Sequence, residues 1–185
     1  MKINKWGALA LLLLASGCAT PEHVINYAPS STMTVAGDAK VGNFRYIPSE
    51  IDSEITPNQI RNTAMNDIKF EKNIHEYFET AVFSEFRLVG IKIDGKENVV
   101  TGEISEFIID DLGYSVDWTL DVRYVVKRPD NSVCYDQFHS FKKHTPKFGN
   151  TFGTLNEVIK SNIELALSDP AFVKCIGKDA NATTT

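Results

Sequence analysis

Four histidines, three cysteines and a scatter of carboxylates are the side chains in this 185-residue chain that have chemistry to offer. His139 and His144 fall on and just past a segment that also carries Asp136, a combination of metal-ligating types. A zinc site needs three or four converging ligands, and this spacing follows no metal-binding pattern. His23 lies in a polar leading stretch, and His75 borders an apolar stripe. Asp110 and Asp111 are adjacent, with Asp117 and Asp121 on the next segment. Paired carboxylates do acid–base work when burial drives their pKa values apart; at a turn and on a polar face they read as hydrated ions. The spaced ligands of an EF-hand calcium loop are missing. So are Gly-x-Ser-x-Gly and a Gly-Lys-Ser/Thr phosphate cradle. Gly149 and Gly153, near Lys147, read as turn chemistry at a helix entry. No catalytic residue, metal ligand or cofactor is assigned, and the expectation is a protein that is not an enzyme.

Cys18 is the exception, because of what precedes it. Lys2 and Lys5 make a short positive region, and Trp6–Ala15 an apolar run of signal-peptide length. That run is too short for the roughly 30 Å hydrocarbon layer of a bilayer. It ends in Ala15-Ser16-Gly17-Cys18, which resembles the lipobox of bacterial lipoproteins, with Ala15 where Leu is commoner and Leu14 beside it. The resemblance implies cleavage before Cys18, diacylation of its thiol and acylation, by palmitate or a similar acid, of the new amino group. A buried methylene contributes about 0.8 kcal/mol, so two or three chains make a permanent anchor where one holds marginally. Ala19, rather than Asp, after the cysteine implies sorting to the outer membrane of a Gram-negative cell, facing the periplasm.

Loss of residues 1–17 removes two lysines and moves the net charge from −5 to −7. An acidic chain without a basic patch excludes nucleic acid as a partner and leaves the lipid anchor as its hold on the membrane. In an oxidising periplasm Cys134 and Cys175 are free to pair. A bridge would close a loop of about 40 residues and stabilise by roughly 2–4 kcal/mol; the alternative is two separate thiols. No Cys-x-x-Cys redox motif is present.

These side chains need a scaffold. The organisation expected is a signal peptide (1–17), acylated cysteine and flexible tether (18–37), one domain (38–177) and a disordered tail (178–185). Residues 39–47 read as a first strand and 48–67 as a loop with one short turn. Ile74, Tyr77, Phe78, Ala81 and Val82 form the stripe of a helix starting near Ile68, with Asn66 or Asp67 as N-cap. Strands are expected at 86–93 and 99–109. In Ser115–Val126 strict alternation from Val116 to Val126 marks a strand with one face on a core. A partner strand returns from Val133, and a second helix covers 154–168, followed by a short helical start at Asp169-Pro170. The fold class is α+β: a four- to five-stranded, mainly antiparallel sheet with two helices on one face, in the order β-α-β-β-β-β-α. With the lipobox and the terminal "DPAFVKCI", this order resembles small outer-membrane lipoproteins of the YajG type and, more loosely, LptE. The YajG-type resemblance implies no particular activity, and the looser one to LptE implies an assembly or plug partner of an outer-membrane machine.

Phe138, Phe141, Phe148 and Phe152 gather around the last strand and the loop after it, with Lys142, Lys143 and Lys147 between them. Phe141 and Phe152 suit a core edge. Phe138, Lys147 and Phe148 suit an exposed contact with a partner, since aromatics anchor interfaces. The function expected is binding of another envelope protein to assist a membrane complex. The alternatives are a carrier or sensor of an amphipathic ligand, a lipid or cell-wall fragment, and an envelope hydrolase.

Overall fold

A computed structural model describes residues 24–63, 68–93 and 98–177. The signal peptide, Cys18, His23, the 178–185 tail and the expected caps Asn66 and Asp67 lie outside the described residues.

The sheet is built on β4 (Val99–Asp110) and β5 (Ser115–Lys127), antiparallel from Val99↔Lys127 to Asp110↔Asp117. β6 (Val133–Pro146) continues antiparallel from β5 and forms one edge. On the far side of β4 two strands lie end to end. β1 (Lys40–Tyr46) pairs parallel with its first half and β2 (Gln59–Asn62) parallel with its last residues. β3 (Ile68–Lys69) adds a short antiparallel rung to β2. The fold is α+β and mainly antiparallel, as the strand patterns imply.

Register accounts for the core. Val116, Trp118, Leu120, Val122, Tyr124 and Val126 are buried, as their alternation requires. On β4 the inward residues are Val100, Gly102 and Ile104, then Phe107 and Ile109; the register shift between Ile104 and Glu106 changes the parity. Helices α2 (Ile74–Val89), α3 (Thr151–Ser168) and α4 (Pro170–Ile176) cover this face. Asn162, fully buried on α3, clips helix to sheet: its amide donates to the carbonyls of Leu120 (2.9 Å) and His139 (3.0 Å), and its oxygen accepts from the Tyr124 hydroxyl (2.9 Å). The other face carries ion pairs, among them Arg123–Asp136 (2.6 Å), Arg45–Glu103 (3.0 Å) and Arg61–Glu106.

Several expectations need correction. The first helix starts at Ile74, capped by Asn73, whose N–H donates to Glu76 at 3.3 Å; Ile68–Lys69 is strand. The strand expected at 86–93 does not form. The stripe of Ile74 to Val82 continues through Phe86 to Val89, and Gly90 ends the helix at φ 102°, with Ile91 N–H bonded to Phe86 O at 2.9 Å. The 48–67 stretch supplies α1 (Ile47–Ile51) and β2. The second helix starts at Thr151, where the Asn150 side chain accepts from Gly153 N–H at 3.0 Å.

The segment expected as flexible tether is fastened for most of its described length. Glu85, fully buried on α2, accepts from the Tyr27 hydroxyl (2.6 Å) and from the N–H groups of Ser30 (3.0 Å) and Ser31 (3.1 Å). Ser31 Oγ donates to Glu164 on α3 at 2.7 Å, and Val35 N–H donates to Val89 O at 2.9 Å. Polar composition suggested solvent; a buried carboxylate supplies the partner instead.

Candidate functional site

β4 ends, β5 begins, β6 ends and α3 begins at one pole of the molecule, and together they leave a pocket of about 250 Å³. Ile68, Ile109, Val116, Trp118 and Phe152 give it an apolar wall. Trp118 comes from the inward face of β5, and its indole N–H donates to Thr145 Oγ1 at 3.2 Å. Phe152 comes from the first turn of α3, where Asn150 fixes the entry.

The polar groups of the pocket centre on Asp111 and Lys147. Asp111 is 5% exposed, and its N–H donates to Thr63 Oγ1 at 3.0 Å. Lys147 Nζ donates to the carbonyls of Asp111 and Gly113, both at 3.1 Å, and stands 3.3 Å from Asp111 Oδ1. That last contact is an ion pair without hydrogen-bond geometry, so Oδ1 is buried with no hydrogen-bond donor among the described residues. Apolar walls with one under-satisfied carboxylate have the chemistry to seat an amphipathic molecule carrying an N–H or O–H. Sequence reading missed this site because Asp110-Asp111 read as a turn, and nothing local signals that the second carboxylate is buried.

The three residues expected at a partner contact are distributed differently. Phe138 is 54% exposed on the uncovered sheet face, opposite Arg123, and Phe148 is 98% exposed at the pocket pole. Lys147 is engaged by Asp111 and Gly113, as a lock between two loops. Phe141 is partly buried against the core, and Phe152 lines the pocket.

Cys134 and Cys175 form a disulfide, with Cα atoms 5.9 Å apart. A register shift opposite Val126 and Lys127 makes the bridge reachable: Val126 faces Tyr135 and Lys127 faces Val133, leaving Cys134 over to meet α4. Beside it, the Tyr135 hydroxyl donates to Asp169 at 2.8 Å and lies 2.6 Å from His139 Nε2. Burial pushes the Tyr135 hydroxyl pKa up and the His139 pKa down, the latter partly offset by the Asp169 charge. The Ala171 N–H, then the Tyr135 hydroxyl, hold Asp169 below the usual carboxylate range. Asp169 is thereby occupied as the cap of α4.

The other chemistry-bearing residues do not converge. His144 Nδ1 meets Asp117 at 2.7 Å on exposed surface, and Asp136 is taken by Arg123. Ser140 and Lys143 hold a Ser-x-x-Lys spacing, but three residues apart on β6 they face opposite sides of the sheet, and Lys143 pairs with Glu157. Among the described residues no group of three or more His, Cys, Asp and Glu side chains is placed to hold a metal ion, and no helix is long and apolar enough to cross a membrane.

The class defined by this arrangement is a small α+β domain with one helix-covered sheet face, and solved structures share that fold. The DUF330 protein XCC0632 of Xanthomonas campestris has a TM-score of 0.52 and 12% identity, over 79% of this chain and 88% of that one. The hypothetical protein CT253 of Chlamydia trachomatis has a TM-score of 0.51 and 10% identity, over 75% of this chain and 98% of that one. At these identities the likeness is one of fold. The lipoprotein GNA1162 of Neisseria meningitidis overlaps only loosely, with a TM-score of 0.32 and 10% identity over 70% of this chain and 99% of that one. No family model matches the sequence, and no curated protein matches it.

Proposed function

We propose that this chain is an outer-membrane lipoprotein, anchored through Cys18 and facing the periplasm, that acts without catalysis by binding another envelope protein and assisting a membrane complex. The observation that carries the binding role is the outer edge of β6. This strand runs for 14 residues, and among the described residues no strand pairs with that edge. An unpaired strand presents a row of backbone donors and acceptors, the template for strand addition by a partner. Phe138 stands exposed on the same strand and supplies an aromatic anchor. Lys142 and His144, near its end, discourage non-specific pairing.

A photo-crosslinking residue at Phe138, compared in cells with one at Leu165 on the outer face of α3, tests this reading. It expects a discrete protein adduct from position 138; adducts from neither position, or the same from both, reject it. Palmitate labelling of wild type and Cys18→Ser tests the anchor, and equal labelling of the two refutes it.

The pocket favours a second reading, an amphipathic ligand with its apolar part against Trp118 and Phe152 and a donor on Asp111. Trp118 is the single tryptophan after residue 17. Saturable quenching of its fluorescence by a brominated fatty acid supports this reading, and unsaturable or absent quenching removes it.

A further inference from the structure

Three large apolar side chains crowd the pocket pole without covering anything: Leu112 is 71% exposed, Phe148 98%, and Tyr114 fully so. They belong to two loops that Lys147 ties together through the carbonyls of Asp111 and Gly113, so they form one cluster. The leading segment departs from the same pole. α2 and α3 lie side by side in parallel, with Tyr77 bonded to Asn156 near their starts and Ser31 bridging Glu85 and Glu164 further on. Val24, Ile25 and Asn26 sit against Phe70, Glu71, Lys72 and Tyr77, at the starting end of α2. Phe70 is two residues beyond Ile68, which lines the pocket together with Phe152.

Val24 is six residues beyond Cys18, a reach of at most about 20 Å. The link from Val24 to Cys18 is therefore short and leaves from the pole that carries the apolar cluster. We propose that this pole, through Leu112, Tyr114 and Phe148, rests in the headgroup layer of the bilayer to which Cys18 is anchored. The inference rests on the lipoprotein reading and adds to it an orientation: pocket toward the membrane, β5–β6 turn toward the periplasm. Tyr114 suits the membrane–water interface, which accommodates both its apolar body and its polar tip, and Leu112 and Phe148 supply apolar surface to the headgroup–acyl boundary. The Lys147 ammonium is engaged within the protein, so the contact is apolar, and its strength should vary little with salt or with anionic lipid content.

The test uses the acylated protein carrying Phe148→Cys. Cys18 is acylated and Cys134 and Cys175 are bonded, so position 148 holds the free thiol and takes an environment-sensitive NBD label. The same label on Arg128→Cys, at the opposite end of β5, is the reference. In vesicles of phosphatidylethanolamine and phosphatidylglycerol, the label at 148 should brighten severalfold, shift to the blue and be quenched by spin-labelled lipid, while that at 128 stays water-like. Floating vesicles with both labels open to aqueous iodide would overturn the orientation and leave the anchor intact. A wild-type protein that neither floats nor takes up palmitate would overturn the lipoprotein reading itself and the orientation with it.

Discussion

Glu85 and Tyr27 meet at 2.6 Å across 58 residues of sequence, and their bond lays the leading segment along α2. The same carboxyl group accepts two backbone N–H groups, so three donors depend on one side chain. Burial, reinforced by Glu85, raises the Tyr27 hydroxyl pKa, which keeps it a donor at any physiological pH. Replacement by alanine leaves those donors without an acceptor, at about 1–3 kcal/mol for each that stays buried. Glu85→Ala is expected to cost about 3 kcal/mol in urea unfolding and to open a chymotryptic cut at Tyr27. An unchanged midpoint and intact resistance would contradict the role given to Glu85.

The disulfide joins an edge strand to the last described helix. On the chain-entropy account, a bridge between residues 41 apart contributes about 4 kcal/mol. Cys134→Ser with Cys175→Ser should lower Tm, and amide exchange should rise first at Val173–Ile176, where α4 loses its covalent link. Uniform exchange across the domain would argue against that order.

His139 makes the stability pH-dependent. Burial lowers its pKa in the folded state, so near pH 6 the unfolded chain binds more protons than the folded one. The sign follows: this contribution is present above the unfolded value of about 6.5 and is lost as pH falls through and below it. The Tm advantage of wild type over His139→Gln should shrink between about pH 8 and about pH 5. An advantage that is constant or grows in acid contradicts the shift.

Gly102 marks the tightest approach among the described glycines. A Cβ there would lie 2.3 Å from Arg123 O and 2.6 Å from the Phe44 ring, which occupies the space a side chain would take. Gly102→Ala must move either the ladder or the ring, and should cost roughly 2 kcal/mol or more in denaturant unfolding. Neutral behaviour would mean that the β4–β5 ladder and the Phe44 ring both yield freely.

Which elements were legible follows from how each is stabilised. β5 shows itself because it has a wet face and a dry face, and period-two alternation is the direct trace of that asymmetry. α3 shows itself by its stripe from Leu155 to Leu167. β2 is four residues long and held by parallel pairing to a strand far along the chain, which leaves no local pattern. Leu88, Val89, Ile91 and Ile93 mimic a strand by composition, while helix continuation and the left-handed Gly90 decide otherwise. The disulfide partners could be named because only two cysteines remain beyond Cys18, whereas their geometry depends on an irregularity in β6. The pocket was illegible because burial of Asp111 arises where three strand ends and a helix start converge.

The parallel seam between β1 and β4 has a mechanical consequence. Tension applied from the N-terminal side passes first into the Tyr27–Glu85 and Val35–Val89 bonds, and then into β1 along its own axis. Load in that direction shears the rungs of the seam together, where a pull across the strands would unzip them singly. A domain attached by that end is braced against being dragged along a surface.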